Sequence, residues 1–215
     1  MTMKKNETKN FDQDAAQWDE HPGKLKMAGD AAAAILREVP LSADMDVMDF
    51  GCGTGLLGLQ LLPQVKSLTG VDSSQGMLAV LRSKIAARGL TNVQMQLIDF
   101  ASGERPAGRY HLIVSSMTLH HVPDTAALFA EWFDLLHPGG QVAFADLDAE
   151  DGSFHNDNTG VFHFGFDREK LKQLLHEAGF ADVRATTASV FSKEVAGRGL
   201  REFPIFLITA TRREV

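Results

Sequence analysis

Three glycines at alternate positions close an apolar stretch of this chain, Val47-Met48-Asp49-Phe50-Gly51-Cys52-Gly53-Thr54-Gly55, and an apolar helix is expected to begin near Leu56. Glycine has no side chain and tolerates positive φ, so a turn of this kind lets backbone come close to a ligand. In open α/β sheets that ligand lies at the carboxyl end of a parallel strand. Asp72 follows Asp49 by 23 residues (72 − 49), near the spacing at which an acid on the second strand grips a ribose. A strand, a glycine turn and a helix in this order demand a βαβ architecture.

The rest of the chain repeats that alternation. Strands are expected near Asp46–Phe50, Ser67–Val71, Val93–Ile98, His111–Ser115 and Gln141–Ala145. Helices are expected near Leu25–Val39, Leu56–Leu62, Gly76–Arg88, Thr125–Leu136 and Arg168–Ala178, which reads as βαβ units on a parallel sheet. Asp124 and Asp167 are placed to cap the last two helices, and Gly179 to end the final one. His137-Pro138-Gly139-Gly140 is expected to stop the fourth helix and turn into the fifth strand. Segment 100–109 reads as a loop or a short helix. Past residue 180 the pattern changes. Ala181–Lys193 and Glu202–Thr211 are strand-like with Gly197-Arg198-Gly199 between them, an antiparallel pair closing the sheet edge. Pro204 in the last run implies an edge or a bulge. The expected fold is α/β: a Rossmann-like, doubly wound, seven-stranded mixed sheet with an antiparallel C-terminal strand.

Composition bounds the function. The chain has 215 residues, one sizeable domain: an N-terminal arm or lid (1–24), a core (25–180) containing a loop at 147–166, and C-terminal antiparallel strands (181–215). The formal net charge of -7 argues against a nucleic-acid partner, which needs a basic surface. No apolar run is long enough to span a bilayer, and the polar first ten residues lack the apolar core of a signal peptide. A cytoplasmic location is therefore expected, and the single cysteine, Cys52, fits a reducing compartment. Cys52 sits where the turn wants a small residue, which explains it without a nucleophilic role. No His/Cys cluster has metal-ligand spacing, so no metal is expected.

Four motifs in this order resemble class I S-adenosylmethionine-dependent methyltransferases: the glycine turn; Val71-Asp72-Ser73-Ser74-Gln75-Gly76-Met77-Leu78; Ile98-Asp99-Phe100; and Ile113-Val114-Ser115-Ser116-Met117-Thr118-Leu119-His120-His121-Val122, followed by Leu136-His137-Pro138-Gly139-Gly140. The Leu-His-His-Val and His-Pro-Gly-Gly elements look like the small-molecule branch of that family. The resemblance covers roughly residues 25–180 and implies S-adenosyl-L-methionine as cofactor. It puts Asp72, beside Ser73, on the ribose hydroxyls, Asp99 on the adenine amino group and Phe100 against the ring. It puts Gly51, Cys52, Gly53 and Gly55 along the amino-acid tail, Asp49 near its ammonium, Met77 in the adenine or ribose wall, and Ser115 at the fourth strand end. In related enzymes an aromatic N-terminal segment folds over the cofactor, a role open to Trp18 and Phe11. Plainer readings stand beside these: Asp72 as a helix cap, Asp99 as the start of a surface loop, Met77 as core, Trp18 as a packing residue on the first helix.

Methyl transfer from a sulfonium needs alignment of the nucleophile and exclusion of water. A base is needed only when the acceptor arrives protonated, and histidine is the natural one near neutral pH. His120 and His121 follow the fourth strand, and His155 and His163 lie in the long loop 147–166. One of the four is expected to orient or deprotonate a small-molecule methyl acceptor, His121 first. Their plainer readings are a packed or capping residue at His120 and solvated loop residues at His155 and His163. The aromatics Phe154, Phe162, Phe164 and Phe166 imply an apolar or aromatic acceptor if they point inward. Ser-Ser-Met-Thr in the fourth motif differs from the Asn/Asp-Pro-Pro-Tyr/Phe type of enzymes acting on nucleic-acid bases. Two other classes stay open. Gly53, Gly55 and Gly58 also spell Gly-x-Gly-x-x-Gly, the nicotinamide-oxidoreductase fingerprint, and a non-catalytic protein binding the same cofactor would need the same turn. The acceptor atom and the oligomeric state are not readable from the sequence.

Overall fold

The computed structural model describes residues 9–98 and 103–213. In chain order the elements are α1 (Pro22–Glu38), β1 (Asp46–Phe50), α2 (Gly58–Leu61), β2 (Ser67–Asp72), α3 (Gln75–Arg88), β3 (Val93–Leu97), β4 (Tyr110–Ser116), α4 (Thr125–Leu135), β5 (Leu136–Leu147), α5 (Arg168–Glu177), β6 (Phe180–Val195) and β7 (Gly199–Arg212). Two short 3-10 turns, Phe11–Gln13 and Ala15–Glu20, precede α1.

One seven-stranded sheet runs β3-β2-β1-β4-β5-β7-β6. Strands β1 to β5 pair in parallel, and β7 is antiparallel to both its neighbours. The expected α/β mixed sheet with an antiparallel C-terminal strand is what forms. The chain builds outward from β1 to β3, returns to β4 on the other side of β1, and continues away. The β1/β4 seam is therefore the topological switch point, where sheets of this kind open a crevice at their carboxyl ends.

Strict alternation of side chains fills both faces. Val47, Leu112, Val114, Ala143 and Ala145 pack with Ala31, Ala34 and Ile35 of α1 and Leu61 of α2. Met48, Phe50, Ile113, Val142 and Phe144 pack on the other face with Leu128, Phe129 and Trp132 of α4 and Leu171 and Leu175 of α5. Strands buried on both faces must be almost wholly apolar, so an acid inside one has a reason to be there. Asp49 in β1, Asp72 in β2 and Asp146 in β5 are such acids, all buried.

Three expectations change in detail. The helix after the glycine turn has only four α-helical residues, Gly58–Leu61, and passes into a 3-10 turn at Leu62–Gln64, because Pro63 has no amide hydrogen to extend it. The His137–Gly140 turn is instead part of β5. Its first pair is Tyr110↔Leu136 and the next Leu112↔Gln141, so β5 advances five residues (141 − 136) against two (112 − 110), with Gly139 at φ 77°. The turn chemistry makes a bulge. Pro204 sits in β7, an interior strand, but where pairing with β5 has just ended at Leu147↔Ile205; it pairs with Val190 of β6, next to a register shift between Thr187 and Ser189. Its missing donor is harmless there.

Both capping acids act as expected: Asp124 accepts from the Ala127 amide at 2.9 Å, and Asp167 from those of Glu169 and Lys170. Replacing Asp124 with alanine is expected to cost about 1 kcal/mol. Urea unfolding would show it as a lower midpoint with an unchanged slope.

Candidate functional site

A cavity of about 320 Å³ opens at the β1/β4 seam, a size suited to a small molecule. Its floor is the glycine turn. Gly51 lies at φ 68°, and a Cβ there would collide with the Thr118 side chain. The Gly51 and Cys52 amides both donate to the Val71 carbonyl, at 2.8 and 3.0 Å, fastening the turn to β2. At Gly53, φ 52°, a Cβ would meet only the Met77 sulfur at 3.9 Å; the residue leaves space that any side chain would fill.

Asp72 stands at the carboxyl end of β2. Its Oδ2 accepts from the Gly53 amide at 2.7 Å and its Oδ1 from the Ser74 amide at 2.8 Å. Ser74, not Asp72, caps α3, accepting from the Met77 amide at 3.1 Å. The Ser73 amide also draws on the carboxylate, and three amides leave part of its acceptor capacity for a further donor. Burial pushes the Asp72 carboxyl above its ordinary range, against the pull of those amides. Asp49 is more extreme. Burial raises it to about 7, opposed by the Gly58 amide, which donates at 3.0 Å, and helped by the neighbouring charge of Asp72.

The N-terminal arm closes over this floor. The Asp12 carboxylate accepts from Ser74 Oγ at 2.5 Å and from the Gly76 amide at 2.7 Å. Asp19 accepts from Thr54 Oγ1 at 2.6 Å and pairs with Lys84. Each pin follows an aromatic residue: Phe11 precedes Asp12 and Trp18 precedes Asp19, and the two rings pack edge to face with centroids 5.9 Å apart, both lining the cavity. Phe11 also meets the His121 ring at 5.1 Å.

The opposite wall carries imidazoles. His120, His121 and His155 line the cavity, with ring centroids 4.2 Å apart for the first two and 4.9 Å for His120 and His155. His121 Nδ1 lies 2.7 Å from the Gly160 carbonyl, so it donates there. Burial, reinforced by the nearness of the His120 ring, pushes His121 down to about 3 and His155 to about 4. Behind them is the fully buried Asp146, whose Oδ1 lies 2.8 Å from His120 Nδ1.

The cavity thus gathers Trp18, Asp49, Gly51, Cys52, Gly53, Asp72, Ser73, Met77, His120, His121 and His155. Three of the expected residues stay outside it. His163 Nε2 faces the Val122 carbonyl at 2.9 Å and its ring packs on Phe166. Ser115 is fully buried and donates to the Phe50 carbonyl at 2.8 Å, tying β4 to β1. Gly55 is a turn residue whose Cβ would strike Leu81 at 2.6 Å. Asp99 and Phe100 lie outside the described residues. Of the loop aromatics, Phe154 lines the cavity, Phe166 packs under the sheet edge, and Phe162 and Phe164 are exposed.

Four residues escaped sequence reading. Asp146 is the last residue but one of β5, as Asp49 is of β1, and Asp72 ends β2; the same rule applied to β5 would have found it. Asp12 and Asp19 look like ordinary arm residues until folding delivers their partners. Met117 lines the cavity at φ 55°, which costs a non-glycine residue about 1 kcal/mol, and no local signal announces it. Among the described residues no set of His, Cys, Asp and Glu is arranged to hold a metal ion, and no helix is long and apolar enough to cross a membrane.

Two outcomes test the geometry. Asp12→Ala removes one pin of the arm, so limited proteolysis should cut the arm at least several-fold faster while the core resists. Asp49 binds more protons folded than unfolded between the ordinary carboxylate range and about 7, so stability should fall as pH rises through that window. Asp72 acts in the same direction. The Tm of Asp49→Asn, followed from pH 4 to 8, should therefore decline less than that of the unsubstituted protein; parallel curves would contradict the assignment.

Comparison with known proteins agrees with this architecture. Residues 24–185 match the family described as "Methyltransferase domain". A ubiquinone biosynthesis O-methyltransferase of Nitrosococcus oceani is 31% identical over 66% of this chain and 61% of its own length. Aklanonic acid methyltransferase DauC of a Streptomyces species is 27% identical over 71% of this chain and 70% of its own. The chain spans 54% of an uncharacterized methyltransferase of Schizosaccharomyces pombe that is 30% identical over 64% of this chain. Among solved structures, N-methyltransferase NodS from Bradyrhizobium japonicum superposes with a TM-score of 0.65 at 18% identity, covering 91% of this chain and 99% of its own. Haemonchus contortus phosphoethanolamine N-methyltransferase 2, in complex with S-adenosyl-L-methionine, gives 0.68 at 16% identity over 94% of this chain and 60% of its own; at such identities the likeness concerns the fold. The Gly58 of the alternative nicotinamide fingerprint faces Asp49 and Leu68 rather than the cavity. With its glycine turn, strand-end acids and β7 reversed beside β5, the chain belongs to the methyltransferase-domain family, on the class I S-adenosylmethionine-dependent methyltransferase fold.

Proposed function

We propose that this protein moves the methyl group of S-adenosylmethionine to a nucleophilic atom of a small-molecule acceptor by in-line displacement. The observation that carries the reading is the pairing of Asp72 with the Gly51–Gly53 turn. Its carboxylate is fixed by the Gly53 and Ser74 amides, with the Ser73 amide also drawing on it, and keeps acceptor capacity at the cavity wall. That suits the two hydroxyls of a ribose. Gly51, Cys52 and Gly53 leave close backbone and open space for an amino-acid tail, and Asp49 offers it a carboxylate for the ammonium. Met77 and Ser73 belong to the nucleoside wall, and Asp99 and Phe100 to its adenine end. The bound cofactor supplies an electrophilic methyl group. The protein aligns a nucleophile against that carbon and excludes water, the task for which Trp18 and Phe11 close the arm.

Support for a small acceptor comes from cavity size, from relatives named for ubiquinone biosynthesis and aklanonic acid, and from a net charge of -7, which disfavours a polyanion. Loop 147–166 lies on the acceptor side in this reading, where it contributes Phe154 and His155. Of the four histidines first considered, the three that line the cavity remain candidates to orient or deprotonate the acceptor.

Calorimetric titration with S-adenosylmethionine and S-adenosylhomocysteine tests the reading. Micromolar binding is expected. Asp72→Asn should weaken it about 10- to 100-fold, since hydrogen bonds to a charged group contribute roughly 1.5–3 kcal/mol each and the amide keeps part of that. Binding of NAD(H) or NADP(H) with no response to the sulfur ligands would overturn it.

A further inference from the structure

Asp146 is a carboxylate with no exposure at all, and a buried charge needs compensation. Among the described residues no lysine or arginine reaches it. Its partners are His120 Nδ1 at 2.8 Å and the Leu147 amide at 2.7 Å on Oδ1, and the His120 amide at 3.3 Å on Oδ2. Burial pushes the carboxyl up, but His120 and the two amides outweigh it and hold Asp146 below the ordinary carboxylate range. The amides come from the 3-10 turn after β4 and from the end of β5 itself, so the aspartate fixes the turn that carries the imidazole.

The three cavity histidines differ in what stands behind them. His120 has a carboxylate on Nδ1, and among the described residues no hydrogen bond engages its Nε2, while the ring lines the cavity. Among the described residues His121 has only the Gly160 carbonyl on Nδ1. Buried His155 Nε2 has no hydrogen-bond partner among the described residues. Charging either of the latter two is opposed by burial and by His120, with Lys9 and Lys193 also acting against His155. A carboxylate behind an imidazole selects the tautomer and stabilises the imidazolium formed on proton uptake.

We propose, resting on the methyltransferase reading, that His120 is the proton acceptor for a hydroxyl substrate and that Asp146 is its positioning residue, making this an O-methylating site. Asp146 holds the Nδ1–H tautomer and leaves the Nε2 lone pair toward the cavity. As a lone pair of the acceptor oxygen attacks the methyl carbon, the hydroxyl proton passes to His120 Nε2. The methyl–sulfur bond breaks with its electron pair left on sulfur. An ether, a neutral thioether and an imidazolium result, and the imidazolium later yields its proton to solvent. A hydroxyl of phenol-like acidity, with a pKa of about 10, is protonated at neutral pH and needs that step. An acceptor already ionised does not.

The test compares the full chain with Asp146→Asn and His120→Gln. Nitrogen-15 NMR of the imidazoles in the S-adenosylhomocysteine complex should show His120 carrying hydrogen on Nδ1 with Nε2 bare; a neutral His120 carrying it on Nε2 overturns the proposal. Initial rates at pH 7.5 are then measured on phenol and on pentafluorophenol, which is already ionised. Each variant should lose about 10³-fold in kcat on phenol, with KM within threefold, and less than tenfold on pentafluorophenol. Equal losses on both probes mean a structural role and overturn it, as does failure of the unsubstituted protein to methylate either. Calorimetry separates the two levels of inference: S-adenosylhomocysteine should bind both variants as it binds the unsubstituted protein. No binding to the unsubstituted protein would sink the methyltransferase reading itself.

Discussion

Everything at the sheet's open edge depends on the carbonyl of Val71 receiving two amides, those of Gly51 and Cys52, at the end of β1. The bond pair turns the chain sharply back toward β2. It succeeds only because residue 51 has no Cβ to collide with Thr118 on the other side of the seam. Once this turn is fastened, the Gly53 amide meets Asp72, Gly58 meets Asp49, and Thr54 presents its hydroxyl to Asp19 of the arm. One backbone junction thereby orients both strand-end acids and gives the lid one of its two anchors.

The acids along this edge answer a packing problem. Parallel strands covered by helices on both faces have no cheap place for a carboxylate. Asp49, Asp72 and Asp146 are tolerated because each finds backbone amides, and they separate electrostatically. Asp49 and Asp72 face one another across the glycine turn and are both held above the ordinary range, whereas Asp146 has an imidazole against it and is held below. The cavity has an acid-lined end and an imidazole-lined end for this reason. The arm spans both, with Asp12 pinned near α3 and Phe11 resting on His121.

Much of the framework was legible because local chemistry and tertiary outcome agree. β1 runs from Asp46 to Phe50, as its apolar run between polar flanks implies, and the caps at Asp124 and Asp167 work through contacts within four residues. Where a segment's fate depends on a distant neighbour, reading it alone gave a different answer. His137-Pro138-Gly139-Gly140 has turn composition, but the β4 ladder pulls it into β5 as a bulge. Ser115 sits at a strand end like a ligand residue, yet its hydroxyl is consumed by the Phe50 carbonyl across the seam. His163 shares a loop with His155, and the loop's path sends one to the cavity and the other to the Val122 carbonyl.

The sequence by itself determined the alternation of strands and helices, the glycine turn and the presence of acids at strand ends, because each follows from side-chain period and backbone freedom within a few residues. It therefore sufficed for the fold and the family resemblance. The tertiary structure alone decided which imidazole stands before a carboxylate, which arm residues pin the lid, and which loop aromatics face inward. His120 and Asp146 are 26 residues apart, and Asp12 and Gly76 are 64 apart. Contacts at such separations are set by strand order and register, which no local pattern encodes.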